Sequence, residues 1–269
     1  MATLGRRRAL GQHFLKDQSI CDQIAESAVE HCARYQAKAL LEIGPGKGAI
    51  TNPLRQKLGL LSQAPEFFVC ERDARLTQHW RDEGIRVEEA DFLDLPEDRW
   101  LGASPLVVVS NLPYSAGTAI LTRLAARLPA EIPAMTLMFQ AEVAQRLRAE
   151  SSTKAWGSLS VWIQNEWDVT KLLSVKPGAF IPPPQVQSEV VTLIRRAKPR
   201  VPVSAAPEDQ KRWENLLKTC FAHRRKMLRA GIPKATPIRN ALEQSGVDDT
   251  KRAEALSWDE WSKLWEHLK

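Results

Sequence analysis

Several features that define other protein classes are absent from this 269-residue sequence. It contains no run of about 18 apolar residues, which excludes a membrane-spanning helix. Its four cysteines (Cys21, Cys32, Cys70 and Cys220) form no CxxC pair, which argues against a zinc site or a disulfide framework and favours a reducing compartment. No apolar stretch follows the charged first residues, so no secretory signal is predicted. We therefore expect a cytoplasmic protein without a metal and without membrane contact.

Basic residues, by contrast, are plentiful and are concentrated in two short windows. The formal net charge is +6. Residues 1–16 contain four basic residues and no acid, and residues 195–234 contain twelve basic residues and three acids. The rest of the chain is net negative. This distribution favours a surface that binds a polyanion over one that only maintains solubility.

Short apolar segments alternate with helix-like segments through the first two-thirds of the chain, which predicts a doubly wound α/β sheet. The predicted parallel strands are 39–43, 67–70, 106–110 and 135–139, with an edge strand at 85–88. Helical spacing occurs at 116–128 and 142–150. Two later β-branched segments, 159–163 and 190–195, are predicted to form an antiparallel end of the sheet.

A change in composition marks a second domain. Residues 199–207 include three prolines and are predicted to be a linker, which divides the chain into a catalytic domain, 1–198, and a small all-helical domain, 208–269. One continuous helix would place an apolar face opposite a basic stripe formed by Lys211, Lys218, Arg225 and Arg229. The apolar face would consist of Trp213, Leu216, Leu217, Cys220, Phe221 and Leu228. We expect the nine tryptophans, Trp213, Trp258, Trp261 and Trp265 among them, to pack in the helical domain rather than to stack on bases.

A glycine-rich turn with the pattern Glu-x-Gly-x-Gly-x-Gly occupies residues 42–48, directly after a predicted strand. Glycines allow a backbone to approach a ligand closely. Glu71 ends the next strand and could accept hydrogen bonds from ribose hydroxyls, and Asp91 follows the strand after that and could accept one from an adenine amino group. This layout is typical of class I S-adenosylmethionine-dependent methyltransferases. A nicotinamide enzyme would need GxGxxG and a hydride-transfer pair, and neither is found.

The tetrapeptide Asn111-Leu112-Pro113-Tyr114 follows the fourth predicted strand, at the carboxyl edge of the sheet. An Asn-x-Pro-Tyr turn is typical of methyltransferases that act on the exocyclic amine of adenine or cytosine. Such an amine is a poor nucleophile because its lone pair is delocalised into the ring. The Asn111 side-chain carbonyl and the Leu112 backbone carbonyl can accept both amino protons and draw the nitrogen toward tetrahedral geometry. Pro113 stiffens the turn, and Tyr114 offers a ring on which an extruded base can stack.

The sequence closely resembles the ribosomal RNA small-subunit adenine dimethyltransferase family. Eight motifs carry the resemblance in the family's order: LGQHFL (10–15), EIGPGKGAIT (42–51), NLPY (111–114), FQAEV (139–143), WGSLS (156–160), VKPGAFIPPP (175–184), VQS (186–188) and FAHRRK (221–226). The resemblance implies a Rossmann-like, mostly parallel sheet with a helical C-terminal domain. It also implies that two adjacent adenosines in the 3′-terminal hairpin of small-subunit RNA become N6,N6-dimethyladenosine through four methyl transfers.

The resemblance further implies roles for individual residues. Phe180 would hold the target adenine against Tyr114. Trp156 occupies a position where the family commonly has tyrosine, and it is given no role. The expected S-adenosylmethionine contacts are His13, Leu15, Gly44, Gly46, Glu71, Asp91 and Asn111.

By the same similarity, the basic windows should face RNA phosphates. The expected RNA contacts are Arg6, Arg7, Arg8, Arg224, Arg225, Lys226 and Arg229. The expected partner is small-subunit ribosomal RNA within a pre-subunit particle, and we expect the enzyme to be a monomer.

Other interpretations remain open at this stage. A related enzyme could methylate an adenine of large-subunit RNA, although such enzymes more often carry Asn-Ile-Pro-Tyr, and the FxPPP and FxxRRK segments fit the small-subunit group better. A second interpretation is a protein that binds the small subunit during assembly, with catalysis lost or secondary. A small-molecule methyltransferase is disfavoured by the basic C-terminal helix.

Overall fold

The computed structural model describes residues 13–127 and 130–268, so Arg6, Arg7 and Arg8 lie outside the described residues. The chain forms two compact units, residues 1–144 with 169–195 and residues 145–168 with 196–269. The elements in chain order are β1 Phe14–Leu15, α1 Gln18–Tyr35, β2 Ala39–Ile43, α2 Thr51–Leu58, β3 Glu66–Glu71, α3 Ala74–Asp82, β4 Arg86–Glu89, β5 Leu106–Asn111, α4 Gly117–Ala125, β6 Ala134–Gln140, α5 Ala141–Leu147, α6 Ser158–Glu166, β7 Trp167–Val175, β8 Phe180–Ile181, β9 Ser188–Arg195, α7 Pro207–Phe221, α8 Leu228–Gly231, α9 Pro237–Gln244 and α10 Trp258–Glu266.

A mostly parallel sheet of seven strands forms the centre of the first unit, in the order β4-β3-β2-β5-β6-β9-β7. Strands β2, β3, β4, β5 and β6 run parallel to one another, and β9 runs antiparallel to β6. All five residues of β2 are buried, as expected when helices cover both faces of a parallel sheet. The α/β prediction, its parallel strands and the edge position of 85–88 are confirmed.

The predicted strand at 159–163 is wrong, because these residues lie in helix α6. The Gly157 amide donates to Ser160 Oγ (3.0 Å), and Ser160 Oγ donates to the Arg146 carbonyl (2.6 Å), which secures the first turn of the helix. Short apolar runs do not distinguish a buried strand from a buried helix. The outer strand beyond β9 is β7 instead.

The compact units divide the chain differently from the predicted domain boundaries. Residues 145–168 belong to the second unit, although the sequence placed them in the catalytic domain. The predicted linker also contributes to the core of this unit, since Val201 and Val203 are buried in it. The Asn165 side chain donates to the Val201 carbonyl (3.2 Å) and accepts from the Val201 amide (2.7 Å). Prolines in this stretch therefore shape an extended segment that packs within the unit.

The predicted continuous basic helix is also wrong. Helix α7 ends at Phe221, a turn follows, and α8 begins at Leu228. The amides of Leu228 and Arg229 donate to the carbonyls of Lys251 (2.8 Å) and Asp249 (3.0 Å), so they are unavailable to extend α7. Arg225 and Arg229 consequently do not continue the helical stripe begun by Lys211 and Lys218.

Tryptophan packing organises the second unit, but the prediction is wrong for Trp80 and Trp100, which are buried in the first unit. Trp213 makes edge-to-face contacts with Trp261 (6.1 Å between centroids) and Trp265 (5.9 Å). All three rings are buried, and Trp258 is partly buried against the same core. Of the helices that the structure describes, none combines the length and apolarity needed to cross a membrane.

Candidate active site

The glycine turn after β2 adopts backbone angles that favour glycine. Gly44 adopts φ +69° and Gly48 adopts φ +86°, in the left-handed region that glycine enters without strain. A Cβ on Gly48 would lie 2.4 Å from the Trp80 ring, whereas one on Gly44 would meet no atom within 4 Å. Trp80 also donates from Nε1 to the Gly46 carbonyl (3.3 Å). The turn is therefore packed tightly on one side and open at Gly44.

Glu71 connects this turn to the end of β3. Its carboxylate is 5% exposed and accepts from the amides of Gly46 (Oε2, 3.2 Å) and Asp73 (Oε1, 2.9 Å). Each carboxylate oxygen has a second lone pair that a ligand hydroxyl can use. Asp91, after β4, accepts from the Leu93 amide (3.1 Å) and lies 3.4 Å from Arg72 Nη1.

One cavity brings the predicted site residues together at the carboxyl edge of the sheet. The catalytic candidates Leu112, Pro113 and Tyr114 line it. All seven predicted cofactor contacts line it as well: His13, Leu15, Gly44, Gly46, Glu71, Asp91 and Asn111.

Glu42 also lines this cavity, and the sequence analysis gave it no role of its own. The side chain is buried, and Thr51 Oγ1 donates to its Oε2 (2.7 Å). Burial, opposed by the Thr51 hydrogen bond and reinforced by the negative charge of Glu71, raises the pKa of Glu42 to about 8. The sequence did contain a signal for this role of Glu42. An acid precedes the three glycines, and a threonine that can donate to it follows nine residues later.

The Asn111 side chain is held in a definite orientation. Its Nδ2 donates to the His13 carbonyl (3.3 Å), and among the described residues no donor is bonded to its Oδ1. Ser110 Oγ donates to the Ile43 carbonyl (2.6 Å) and ties the end of β5 to the end of β2. The Pro113 carbonyl accepts from the Gly117 amide (2.8 Å), which starts helix α4 directly after the turn.

Tyr114 is held at both ends of its side chain. The hydroxyl bonds to Ser188 Oγ (2.6 Å), and the ring centroid lies 5.4 Å from that of His13. His13 Nδ1 is 2.8 Å from the Pro182 carbonyl. Burial raises the pKa of Tyr114, so the phenol stays neutral at physiological pH. Ser188 belongs to the VQS motif (186–188), but no pattern in the sequence predicted its place in the site.

Phe180 is the exception among the predicted catalytic residues. Its side chain is 1% exposed, belongs to the core cluster beneath the sheet and does not line the cavity. Pairing of β1 with β8 sets Phe180 opposite Leu15, which directs the ring into the core. In this structure Phe180 does not face Tyr114 across an open space, so its stacking role stays a prediction.

The loop that carries Asp91 is anchored by a residue the sequence analysis missed. Arg123, on α4, donates from Nη1 to the Phe92 carbonyl and from Nη2 to the Leu95 carbonyl. The guanidinium also lies 5.2 Å from the Phe92 ring centroid and 5.6 Å from that of Trp100. No local pattern in the sequence distinguishes this arginine from a surface one.

The predicted RNA contacts of the second unit have different surroundings. Arg224 Nη2 donates to the carbonyls of Lys154 (3.0 Å) and Trp156 (2.6 Å) and lies 3.4 Å from Glu254 Oε2. Arg225, Lys226 and Arg229 are exposed. Arg224 is exposed as well, so it combines contacts within its unit with an accessible side chain, whereas no such contact to a backbone carbonyl is described for the other three.

Comparisons with known proteins agree along the whole chain. The family model described as ribosomal RNA adenine dimethylase matches residues 4–269. The chain belongs to this family. It is 36% identical to "Ribosomal RNA small subunit methyltransferase A" of Geobacter sulfurreducens over 96% of this chain and 93% of that protein. It is 35% identical to the protein of the same name in Dinoroseobacter shibae over 97% and 91%.

Solved structures support the same fold. A dimethyladenosine transferase from Plasmodium falciparum superposes with a TM-score of 0.70 at 25% identity, covering 94% of this chain and 96% of that one. The 23S rRNA methyltransferase ErmE gives a TM-score of 0.65 at 25% identity, covering 95% and 99%. The chain is thus an S-adenosylmethionine-dependent ribosomal RNA adenine dimethyltransferase, with a class I fold and a helical C-terminal part.

The cavity fits S-adenosylmethionine on its own geometry. The open space at Gly44 lets a ligand approach the backbone, and the carboxylates of Glu71 and Asp91 can accept from its hydroxyl and amino groups. When bound, this cofactor supplies an electrophilic methyl group on its sulfonium. Among residues 13–127 and 130–268, no group of three or more His, Cys, Asp or Glu side chains is arranged to hold a metal ion.

Proposed function

We propose that this enzyme dimethylates two adjacent adenosines in the 3′-terminal hairpin of small-subunit ribosomal RNA, acting as a cytoplasmic monomer on the assembling subunit. Relatives named for the small subunit, each aligned over more than 90% of both chains, support the choice of RNA. The observation that carries the chemistry is the convergence of the Asn111–Tyr114 turn and the acid-bearing glycine cavity at one edge of the sheet.

In this proposal Asn111 and Leu112 activate the target nitrogen. Among the described residues, no donor is bonded to Asn111 Oδ1. The hydrogen bond from Nδ2 to the His13 carbonyl fixes the orientation of the amide. Oδ1 can therefore accept one proton of the adenine amino group, and the Leu112 carbonyl can accept the other. The nitrogen lone pair is then aimed along the direction of methyl transfer.

Tyr114 provides the platform for the extruded adenine. Its ring is fixed by Ser188 and His13, so little conformational freedom is lost when a base stacks on it. Phe180 is proposed to complete the stack from the other side, which would require its ring to leave the core.

Basic side chains would hold the RNA backbone. The exposed Arg225, Lys226 and Arg229 are proposed to contact phosphates, together with Arg6, Arg7 and Arg8. Arg224 is proposed to contribute mainly by securing the 154–156 segment beside them.

The decisive experiment measures methyl transfer from labelled S-adenosylmethionine to unmethylated small subunits, with large subunits and naked RNA in parallel, followed by nucleoside analysis. We expect dimethyladenosine in small subunits alone, and we expect Asn111→Ala to abolish transfer even at saturating cofactor, because the variant lacks the Oδ1 that accepts an amino proton of the adenine. Label in large-subunit RNA would support a second candidate function, which the similarity to ErmE favours. Tight subunit binding without any transfer would indicate an assembly factor instead.

A further inference from the structure

A second cavity of about 300 Å³ adjoins the active site and has no role in the mechanism above. The cavity, here called the flanking cavity, lies in the first unit. Its lining includes Phe14, Lys16, Lys47, Asn52, Ile181 and Pro182. Its volume is at the lower end of the range for small-ligand sites.

Charge distinguishes the two cavities. The active-site cavity has the carboxylates of Glu71 and Asp91 in its lining, which suit a cationic cofactor, and Lys47 and Arg72 line it as well. The flanking cavity is lined by two lysines and no carboxylate. Lys16 and Lys47 are both exposed, and within the described part of the chain neither has an acidic partner, so both ammonium groups are available to an anion.

Apolar and aromatic surface accompanies these charges. Phe14 lines both cavities, and Lys47 Nζ lies 5.4 Å from its ring centroid. Ile181, on the rim, is 58% exposed, so its aliphatic surface is accessible to a ligand. Aromatic and aliphatic surface beside unpaired cations is the chemistry that binds one nucleotide unit, with the base on the apolar wall and the phosphate on the lysines.

The flanking cavity is directly connected to the catalytic turn. Strand pairing sets Phe14 opposite Ile181. His13 contacts the Tyr114 ring on one side and the Pro182 carbonyl on the other, so a single side chain separates the base platform from the cavity rim. A polynucleotide whose target base lies on Tyr114 would place its neighbouring nucleotide near this rim.

We propose that the flanking cavity binds the nucleotide next to the target adenosine in the RNA. This inference rests on the proposed function in that it takes single-stranded RNA as the ligand, but it does not depend on which ribosomal RNA is methylated. Lys16 and Lys47 hold the phosphate, and the apolar wall receives the base. The site thereby sets the register of the RNA strand and favours a target adenosine whose neighbouring base can bind in the flanking cavity.

The test measures the Kd of fluorescent hairpin RNA for full-length enzyme saturated with S-adenosylhomocysteine, which prevents turnover. Two RNAs are compared, one intact and one abasic at the nucleotide flanking the target, with the 5′ and 3′ flanks tried separately. Asn52→Trp fills the cavity from an exposed position without changing its charge. For wild type, removal of the flanking base should weaken binding by about fivefold or more.

Asn52→Trp should weaken binding of intact RNA to a similar degree, and the abasic RNA should then bind no worse than the intact one. Such non-additivity marks two changes to one contact. Independent, additive effects of the substitution and the abasic site, or no effect of either, would overturn the proposal. An unchanged Kd for S-adenosylhomocysteine establishes that the variant is folded.

Lys16→Ala supplies a second readout that does not depend on the tryptophan. It should reduce the slope of log K for RNA binding against log salt concentration by about 0.7, the value for one phosphate of a single strand that is no longer neutralised. Lys38→Ala is the matched control, because Lys38 is exposed at the amino end of β2, at the opposite edge of the sheet. Equal effects of the two substitutions would contradict a local site.

Methylation of the small-subunit and large-subunit hairpins is scored separately, so failure of the proposed substrate is distinguishable from failure of the subsite.

Discussion

Single residues in this active site owe their chemistry to their surroundings. Glu42 is an ordinary carboxyl in the sequence, but burial beside Glu71 holds it in the neutral form over most of the physiological range. Tyr114 is oriented by one hydrogen bond to Ser188, which lies 74 positions away in the chain. Both effects arise from neighbours that only folding brings together.

The pH dependence of stability should reveal the buried Glu42. In the unfolded chain this carboxyl ionises near its ordinary pKa of 4.5, whereas in the folded chain it holds its proton up to about pH 8. Its contribution to stability is therefore fully present below about pH 4.5 and is lost as the pH rises to about 8. Relative to Glu42→Gln, wild type should lose up to about 1.4 kcal/mol per pH unit within that window.

Urea unfolding of the cofactor-free protein at intervals between pH 5 and pH 8 measures this difference. Other titrating groups are shared by the two proteins and cancel. Parallel curves for wild type and Glu42→Gln would contradict a raised pKa in the folded state.

Ser188 is predicted to act as a positioning residue for Tyr114. Removing its hydroxyl in Ser188→Ala leaves the phenol without its partner, and kcat should fall by about 3- to 10-fold, in line with the loss of one hydrogen bond. The Kd for S-adenosylmethionine should not change. Tyr114→Phe removes the same bond from the other side, so the double variant should be no slower than the slower single variant. Additive losses would indicate that the two side chains act separately.

At the scale of elements, the site is assembled from loops at the carboxyl ends of four parallel strands. Short strands and short connections place Gly44, Glu71, Asp91 and Asn111 around one cavity. Loops hold such positions only when something anchors them. Arg123 performs this task for the loop after β4 by bridging two of its carbonyls.

Arg123→Leu should raise the Kd for S-adenosylmethionine by about 10-fold, because the Asp91–Leu95 loop loses two charge-assisted hydrogen bonds. Arg123→Lys keeps the charge but cannot span both carbonyls, so it should show most of the same loss. The control is Arg127→Leu, which removes an arginine near the end of the same helix that pairs with Glu97 instead. Isothermal titration with the cofactor measures all three. Equal Kd values for the Arg123 and Arg127 variants would refute the anchoring role.

At the scale of the whole molecule, charge is distributed by function. The basic excess of residues 195–234 is carried largely by the second unit, where Arg225, Lys226 and Arg229 are exposed. In the cofactor cavity of the first unit, the carboxylates of Glu71 and Asp91 lie in the same lining as Lys47 and Arg72, and Glu42 holds its proton. Carboxylates in the cofactor cavity and exposed cations on the second unit suit an enzyme with a cationic cofactor and a polyanionic substrate.

Charge reversal at Arg225 and Arg229 should therefore weaken RNA binding and reduce the slope of log K against log salt concentration by about 1.5, as expected when two phosphates are no longer neutralised. Cofactor affinity should be unaffected. Arg224→Ala is the informative comparison: it should lower Tm, because the Lys154 and Trp156 carbonyls lose their donor. Binding curves at several salt concentrations, with thermal unfolding alongside, measure both effects. An unchanged salt slope in the Arg225 and Arg229 variant would exclude phosphate contact.

The sequence by itself determined the parallel sheet and the cofactor layout. Buried strands, glycine turns and strand-end acids are local patterns, and the carboxyl ends of parallel strands meet at one edge regardless of distant detail. For this reason local patterns place Gly44, Glu71, Asp91 and Asn111 at one edge, where they line one cavity. His13, which the family resemblance added, lines the same cavity, and the cofactor contacts of all five stay a prediction.

Only the tertiary structure determined the features that depend on contacts between segments far apart in the sequence. The run 159–163 became a helix, and α7 does not continue to Arg229 because the amides of Leu228 and Arg229 donate to the 249–251 segment. Phe180 entered the core because β8 pairs with β1. Hydrogen bonds and burial across long separations leave no periodicity in the sequence, so only the fold could select these outcomes.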